Sequence, residues 1–126
     1  MTEFLDRDDV LTAGAAAAGQ ILTVGDYGLL DAAVARPRAT VFGVDAYPDH
    51  LSKAAALLQL LARNRALVDG NKRIAWAAAW TFLYINGVEL GEFDVDDAEE
   101  FVNAVATDAM MSVDFIASKL ASYATS

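Results

Sequence analysis

The chain has 126 residues, 56 % of them hydrophobic, with two prolines, no cysteine and a net charge of −9. That much apolar material excludes a disordered polymer, and the abundant alanine favours packed helices. Without cysteine there is no disulfide, thiolate metal site or cysteine nucleophile. The acidic excess opposes general binding to phosphate backbones or anionic lipids, so neither direct nucleic acid nor membrane is expected as a partner.

The length suits one domain, residues 1–126, with a single core. The opening "MTEFLDRDDV" lacks the basic flank and apolar run of a signal peptide, and no apolar run is long enough to span a bilayer. A cytoplasmic location is the expectation.

From Asp6 to about Leu22, acidic residues lead into Leu11, Ala15, Ala18 and Leu22 at helical spacing, an amphipathic helix in which Gly14 and Gly19 either weaken the helix or allow close packing. A loop near Gly25 and Asp26 precedes a second short helix, "YGLLDAAVARP", which Pro37 ends. Ala39 to Val44, "ATVFGV", carries β-branched and aromatic residues around Gly43 and suits an extended flap or hairpin. Pro48 is expected in the first turn of a long helix through about Arg65, with Leu51, Ala54, Ala55, Leu58, Leu61 and Ala62 on one side.

Asp69, Gly70 and Asn71 break that helix. Asn71 to Ile85 is apolar nearly all round and belongs in the middle of a bundle. Asn86-Gly87 closes it, and "VELGEF" is read as extended. Asp94 then caps a helix with Ala98, Phe101, Val102, Val105 and Ala109 inward, and Ser112 caps the last, with Ile116, Leu120 and Tyr123 inward. The fold class expected is all-α, a helical bundle with a small β flap.

Four of the nine basic residues crowd into "RNRALVDGNKR", Arg63 to Arg73. The Asp69 to Asn71 loop ends at the start of the most buried helix, where free backbone N–H groups and the helix dipole favour an anion. Gly70 lets a ligand approach the backbone. Lys72 and Arg73 in a first turn oppose the dipole at a cost of about 0.3–1 kcal/mol, a choice that makes sense if a phosphate sits there. Asp69 can hold Mg²⁺ bridging phosphate oxygens. The competing reading is ordinary turn chemistry, with Asn71 or Asp69 as a helix cap and a solvated basic patch.

"ARNRALVDGNKRIAWAAAWTFLYING" resembles the active-site segment of the Fic/Doc family, and in particular its Doc (death on curing) toxin branch, whose pattern is His-x-Phe-x-Asp-x-Asn-Lys-Arg before an apolar helix. "GLLDAAVARP" and "FGVDAYPDHLSKAAALL" are also similar, so the resemblance spans about Gly28 to Gly87. It implies Asp69 as a catalytic-site acid and magnesium ligand, and Gly70, Asn71, Lys72 and Arg73 as the ATP and phosphate site. Lys72 stands where adenylylating members have glycine, and Trp76 stands where they have a second arginine. The segment Thr40, Val41, Phe42, Gly43, Val44 resembles the flap that docks the target backbone as an added strand.

What the resemblance implies in function is a kinase that phosphorylates a threonine of elongation factor Tu with ATP and Mg²⁺, arresting translation. Its partner would be a small Phd-like antitoxin of a type II toxin–antitoxin pair. No inhibitory helix of the Ser/Thr-x-x-x-Glu-Gly/Asn form is evident in the chain, which fits inhibition in trans.

Two positions depart from the pattern. Leu67 replaces Phe, a tolerable apolar exchange. Arg65 replaces the His that the resemblance makes the general base. Arginine already carries its proton near neutrality and cannot accept another there, so little or no kinase activity is expected. The only histidine, His50, lies fifteen residues earlier, roughly 22 Å along a helix, and is expected to be an exposed first-turn residue. Arg65 is open to three explanations: a change that spares an expression host, a degenerate toxin kept for antitoxin binding, or a variant in which Arg65 holds phosphate. An adenylylating enzyme would need a small residue at Lys72.

The acidic run Asp94 to Phe101 lacks calcium-loop spacing and reads as a helix start. Ile74 to Ser118 holds nine acidic and no basic residues, a solvated face that a basic antitoxin segment could meet. Trp76 and Trp80 read as core rather than a stacking platform.

Overall fold

A computed structural model describes residues 1–125. Helix α3 (His50–Arg63) is the central element: Asp49 caps it in a capping box with Ser52, and every side chain from Ser52 to Gln59 is buried. Its alanines at 54, 55 and 56 leave neighbouring helices room to close in on all sides. Helix α4 (Asn71–Ile85) packs along it, α1 (Arg7–Ala18) lies on α4, and α5 (Val95–Thr107) and α6 (Val113–Tyr123) cover its remaining flanks. Helix α2 (Tyr27–Ala35) runs into a 3₁₀ turn at Arg36–Arg38, and both pack on α3. All six helices contribute to one hydrophobic core, with Leu57, Leu58, Ile74, Phe82, Leu83, Ile116 and Leu120 fully buried. The expected all-α class holds.

Several boundaries differ from the sequence reading. Helix α1 stops at Ala18 because Gly19 turns left-handed (φ 70°) and donates its N–H to Ala15. Leu22 therefore packs from the following loop. A Cβ on Gly14 would lie 2.7 Å from Leu22 Cδ1 and 2.8 Å from Ile74 Cγ1, so glycine is what lets α1 approach α4 this closely. Pro48 precedes the cap Asp49 instead of entering the helix. Helix α3 ends at Arg63, and α5 ends at Thr107, leaving Ala109 exposed in a turn. In "VELGEF" only Leu90 pairs, with Ala124, in an isolated bridge. His50 is half-buried rather than exposed: its Nε2 lies 3.2 Å from Thr2 Oγ1 and its ring meets Phe82 edge-on.

The flap is a hairpin of β1 (Thr40–Val41) and β2 (Val44–Asp45), with Thr40 opposite Asp45. Phe42 (φ 51°) and Gly43 (φ 80°) both take the positive φ that a two-residue hairpin turn demands.

Candidate functional site

The segment between α3 and α4 is held by its backbone. Ala66 and Leu67 are buried and anchor it in the core. The Ala66 carbonyl accepts from Gly25 (2.8 Å) and Asp26 (3.0 Å), and Val68 donates to Thr23 (3.0 Å). Asn71 closes the loop with its side chain: Oδ1 accepts from Leu67 N–H and Nδ2 donates to the Leu67 carbonyl, each at 3.0 Å. Asn71 thus neither caps the helix nor leaves its amide idle. Arg65 adopts φ 54°, a left-handed conformation that costs a non-glycine residue about 1–2 kcal/mol. Gly70 adopts φ 87°, where glycine carries no such penalty.

Among the described residues, five of the six helices begin on a capping side chain: Asp6, Asp26, Asp49, Asp94 and Ser112. Helix α4 begins on Gly70 with none. First-turn N–H groups have no intrahelical acceptor in any helix, so here they are left for solvent or a ligand. Asp69 spends one carboxylate oxygen on the Gly70 N–H (2.9 Å) and keeps the other free.

A cleft of about 720 Å³ opens beside this loop. Arg65, Asp69, Gly70, Asn71, Lys72 and Arg73 all line it, so the structure brings the motif positions together. The flap residues Thr40 to Val44 do not line it.

The cations around the cleft differ from those elsewhere. Arg7 pairs with Asp31, Lys53 with Asp45 and Lys119 with Asp97. Arg36 donates to Tyr47 and Ala56, Arg38 lies over Phe4, and Arg63 donates to the carbonyls of Val105, Asp108 and Met111. Among the described residues only Arg65, Lys72 and Arg73 have no such partner, and all three line one cleft.

The opposite wall comes from α5 and its approach. Val95, Ala98, Val102 and Ala106 form an apolar strip beside Trp76 and Phe93. Trp76 is half-buried and packs on Phe93 (5.3 Å between ring centroids) and Tyr123 (5.4 Å), whereas Trp80 is buried. Behind them the Tyr123 hydroxyl donates to Asp97 (2.6 Å). Burial and the Asp97 carboxylate raise the Tyr123 pKa, while the Tyr123 hydrogen bond, followed by that of Lys119, lowers the Asp97 pKa.

The Fic/DOC family profile matches residues 3–83 of the chain. The chain belongs to the Fic/DOC family. A curated relative, "Toxin Doc" of Mycolicibacterium smegmatis, is 69 % identical over 125 residues, covering 98 % of this chain and 95 % of the relative. The matched region includes the Arg65–Arg73 loop at the head of α4, which lines the cleft that the α5 strip faces.

Sequence reasoning read Ala98 and Val102 only as inward core and did not anticipate that they also wall the cleft. It likewise missed Arg63, whose guanidinium fastens the end of α5 (2.8 Å to Val105 O, 2.6 Å to Asp108 O). The available signal was the four-residue spacing of Ala98, Val102 and Ala106, but spacing does not say which helix lies opposite. No helix among the described residues is long and apolar enough to cross a membrane.

Proposed function

We propose that this Fic/DOC chain is a Doc-type toxin whose cleft binds ATP, and that its ancestral reaction is phosphoryl transfer to a threonine of elongation factor Tu in the cytoplasm. The observation that carries the reading is the gathering of the three unpartnered cations, Arg65, Lys72 and Arg73, around an uncapped helix start in an otherwise acidic protein. Such a start attracts phosphate oxygens, and charge-assisted bonds from the two first-turn cations strengthen the hold. Asn71 contributes by fixing the loop through Leu67. The free oxygen of Asp69 suits Mg²⁺, which is typically held by one or two carboxylates plus substrate phosphates. When bound, Mg²⁺ neutralises charge on the β- and γ-phosphates.

Transfer forms a bond from the threonine oxygen to the γ-phosphorus and breaks the bond to the β-phosphate oxygen, releasing ADP. The hydroxyl proton must go to a base. Arg65 stands at that position and a guanidinium is a donor, not a proton acceptor, so the chain binds nucleotide and turns over slowly. Lys72 fills the position where a transferred AMP would require a small residue, which favours phosphate over AMP as the group moved.

The test compares the chain with its Arg65→His variant, following transfer of labelled γ-phosphate to purified elongation factor Tu. The variant is expected to be at least about 100-fold faster, the scale of a positioned general base. Equal rates would overturn the impairment, and AMP on the target would overturn the kinase class.

A second reading draws on the apolar α5 strip: the chain serves as a non-catalytic module that engages a Phd-like antitoxin. Growth arrest by Arg65→His supports the enzyme; a silent variant that still binds antitoxin supports the module.

A further inference from the structure

Lys53 is the one lysine whose side chain is almost fully enclosed, at 3 % exposure. A buried ammonium is costly unless every N–H finds a partner. Its partners come from the return arm of the flap: Nζ lies 3.1 Å from Asp45 Oδ2 and donates to the Tyr47 carbonyl. Arg36 adds a second tether, donating to the Tyr47 hydroxyl at 3.1 Å and to the Ala56 carbonyl of α3 at 2.9 Å.

The flap has little else to hold it. Its strands are two residues each, extended by one further bond from Ala46 N–H to the Ala39 carbonyl (2.8 Å). A two-stranded hairpin is at best marginal by itself in water, and this one buries no side chain of its strands. Phe42 is fully exposed, and Val41 and Val44 are exposed beside it, an apolar tip that a protein surface would cover.

We infer that Lys53 is a positioning residue for protein docking: reaching out of α3, it latches the base of the flap, and the order of the flap's exposed strands depends on that latch. The inference rests on the reading of the flap as the target-docking segment. Asp45, exposed at the far end of the latch, is the part that can be altered without disturbing the core.

The experiment uses the full chain and two variants. Lys53→Met keeps the buried stem and removes the charge; Asp45→Asn removes the partner from the solvent side, so the test survives if Lys53→Met does not fold. Amide hydrogen exchange is read at Val41, Val44 and Ala46, with α3 and α4 as internal controls, alongside affinities for Mg·ATP and for elongation factor Tu. The expected result is hairpin exchange at least about tenfold faster, target affinity down by a similar factor, and Mg·ATP affinity and helix protection unchanged. Unaltered hairpin exchange in both variants overturns the latch. A loosened hairpin with target affinity intact overturns its role in docking. If the unaltered chain does not bind the factor at all, the docking reading falls, while the exchange data still decide the latch.

Discussion

Helices α4 and α5 face each other across the cleft and begin in opposite ways. Helix α5 starts as stability dictates: Asp94 accepts from the N–H groups of Asp96 (2.8 Å) and Asp97 (3.3 Å), and the acidic Asp96 and Asp97 fill the first turn. Helix α4 starts on an uncapped glycine, with Lys72 and Arg73 in the same positions and Arg65 strained just before it. One terminus is satisfied within the fold. The other leaves donors and positive charge without partners, and the lesson is that a terminus built against helix stability is where a ligand is to be sought first.

The contrast can be broken by mutation, and Arg73→Ala is the strongest probe. Loss of a charge-assisted contact worth about 1.5–3 kcal/mol should weaken Mg·ATP binding roughly 10- to 100-fold in calorimetric titration, with thermal stability nearly unchanged. Equal affinity in the variant would remove Arg73 from the site. Next in size is Asn71→Ala, which strips both loop bonds to Leu67 and leaves that buried residue's N–H and carbonyl unpaired. A loss of about 2 kcal/mol in urea unfolding is expected. Asp94→Ala, the matching change on α5, should cost about 1 kcal/mol of stability and leave nucleotide affinity alone. Lys72→Glu should have the smallest effect on folding, raising the stability of the ligand-free protein by about 0.3–1 kcal/mol while removing anion binding. A destabilised Lys72→Glu protein would show that the cation had a partner in the fold.

Acid sharpens the comparison from the α5 side. The Tyr123 hydroxyl, then Lys119, holds the Asp97 carboxyl below its ordinary range. A folded pKa below the unfolded one contributes stability above the ordinary carboxylate range, lost as pH falls through the lowered folded value. The melting temperature of Asp97→Asn should therefore lie below that of the unaltered protein at neutral pH, and the gap should close in acid. A gap that persists at low pH would assign the effect to packing.

Much of the fold was legible because its signals are local. Helix starts at Asp94 and Ser112, the greasy Asn71–Ile85 segment and the small hairpin around Gly43 depend on residues within a few positions of each other. Helix ends were read less well: Gly19 ends α1 within an apolar stretch where periodicity continues, and α3 and α5 stop at Arg63 and Thr107, short of the expected Arg65 and Ala109. The loop chemistry of Asp69 to Arg73 was visible as an anomaly of charge. The role of Asn71 was not, because the same amide can cap, bind a ligand or bridge a loop, and only the position of Leu67 selects among them.

By itself the sequence determined that this chain is helical, that it resembles proteins carrying Asp-x-Asn-Lys-Arg before an apolar helix, and that an arginine, Arg65, stands where that resemblance has a histidine. Those conclusions follow from residue chemistry and short-range spacing. Tertiary structure decided that α5 supplies the second wall of the cleft, that Arg63 fastens the end of that helix, that Lys53 hangs the flap from α3, and that among the described residues Arg65, Lys72 and Arg73 go without partners. The α5 wall and the Arg63 bonds join segments far apart in the chain, and even the Lys53 latch, only six to eight residues long, depends on how the flap folds back on α3; no periodicity encodes which faces meet.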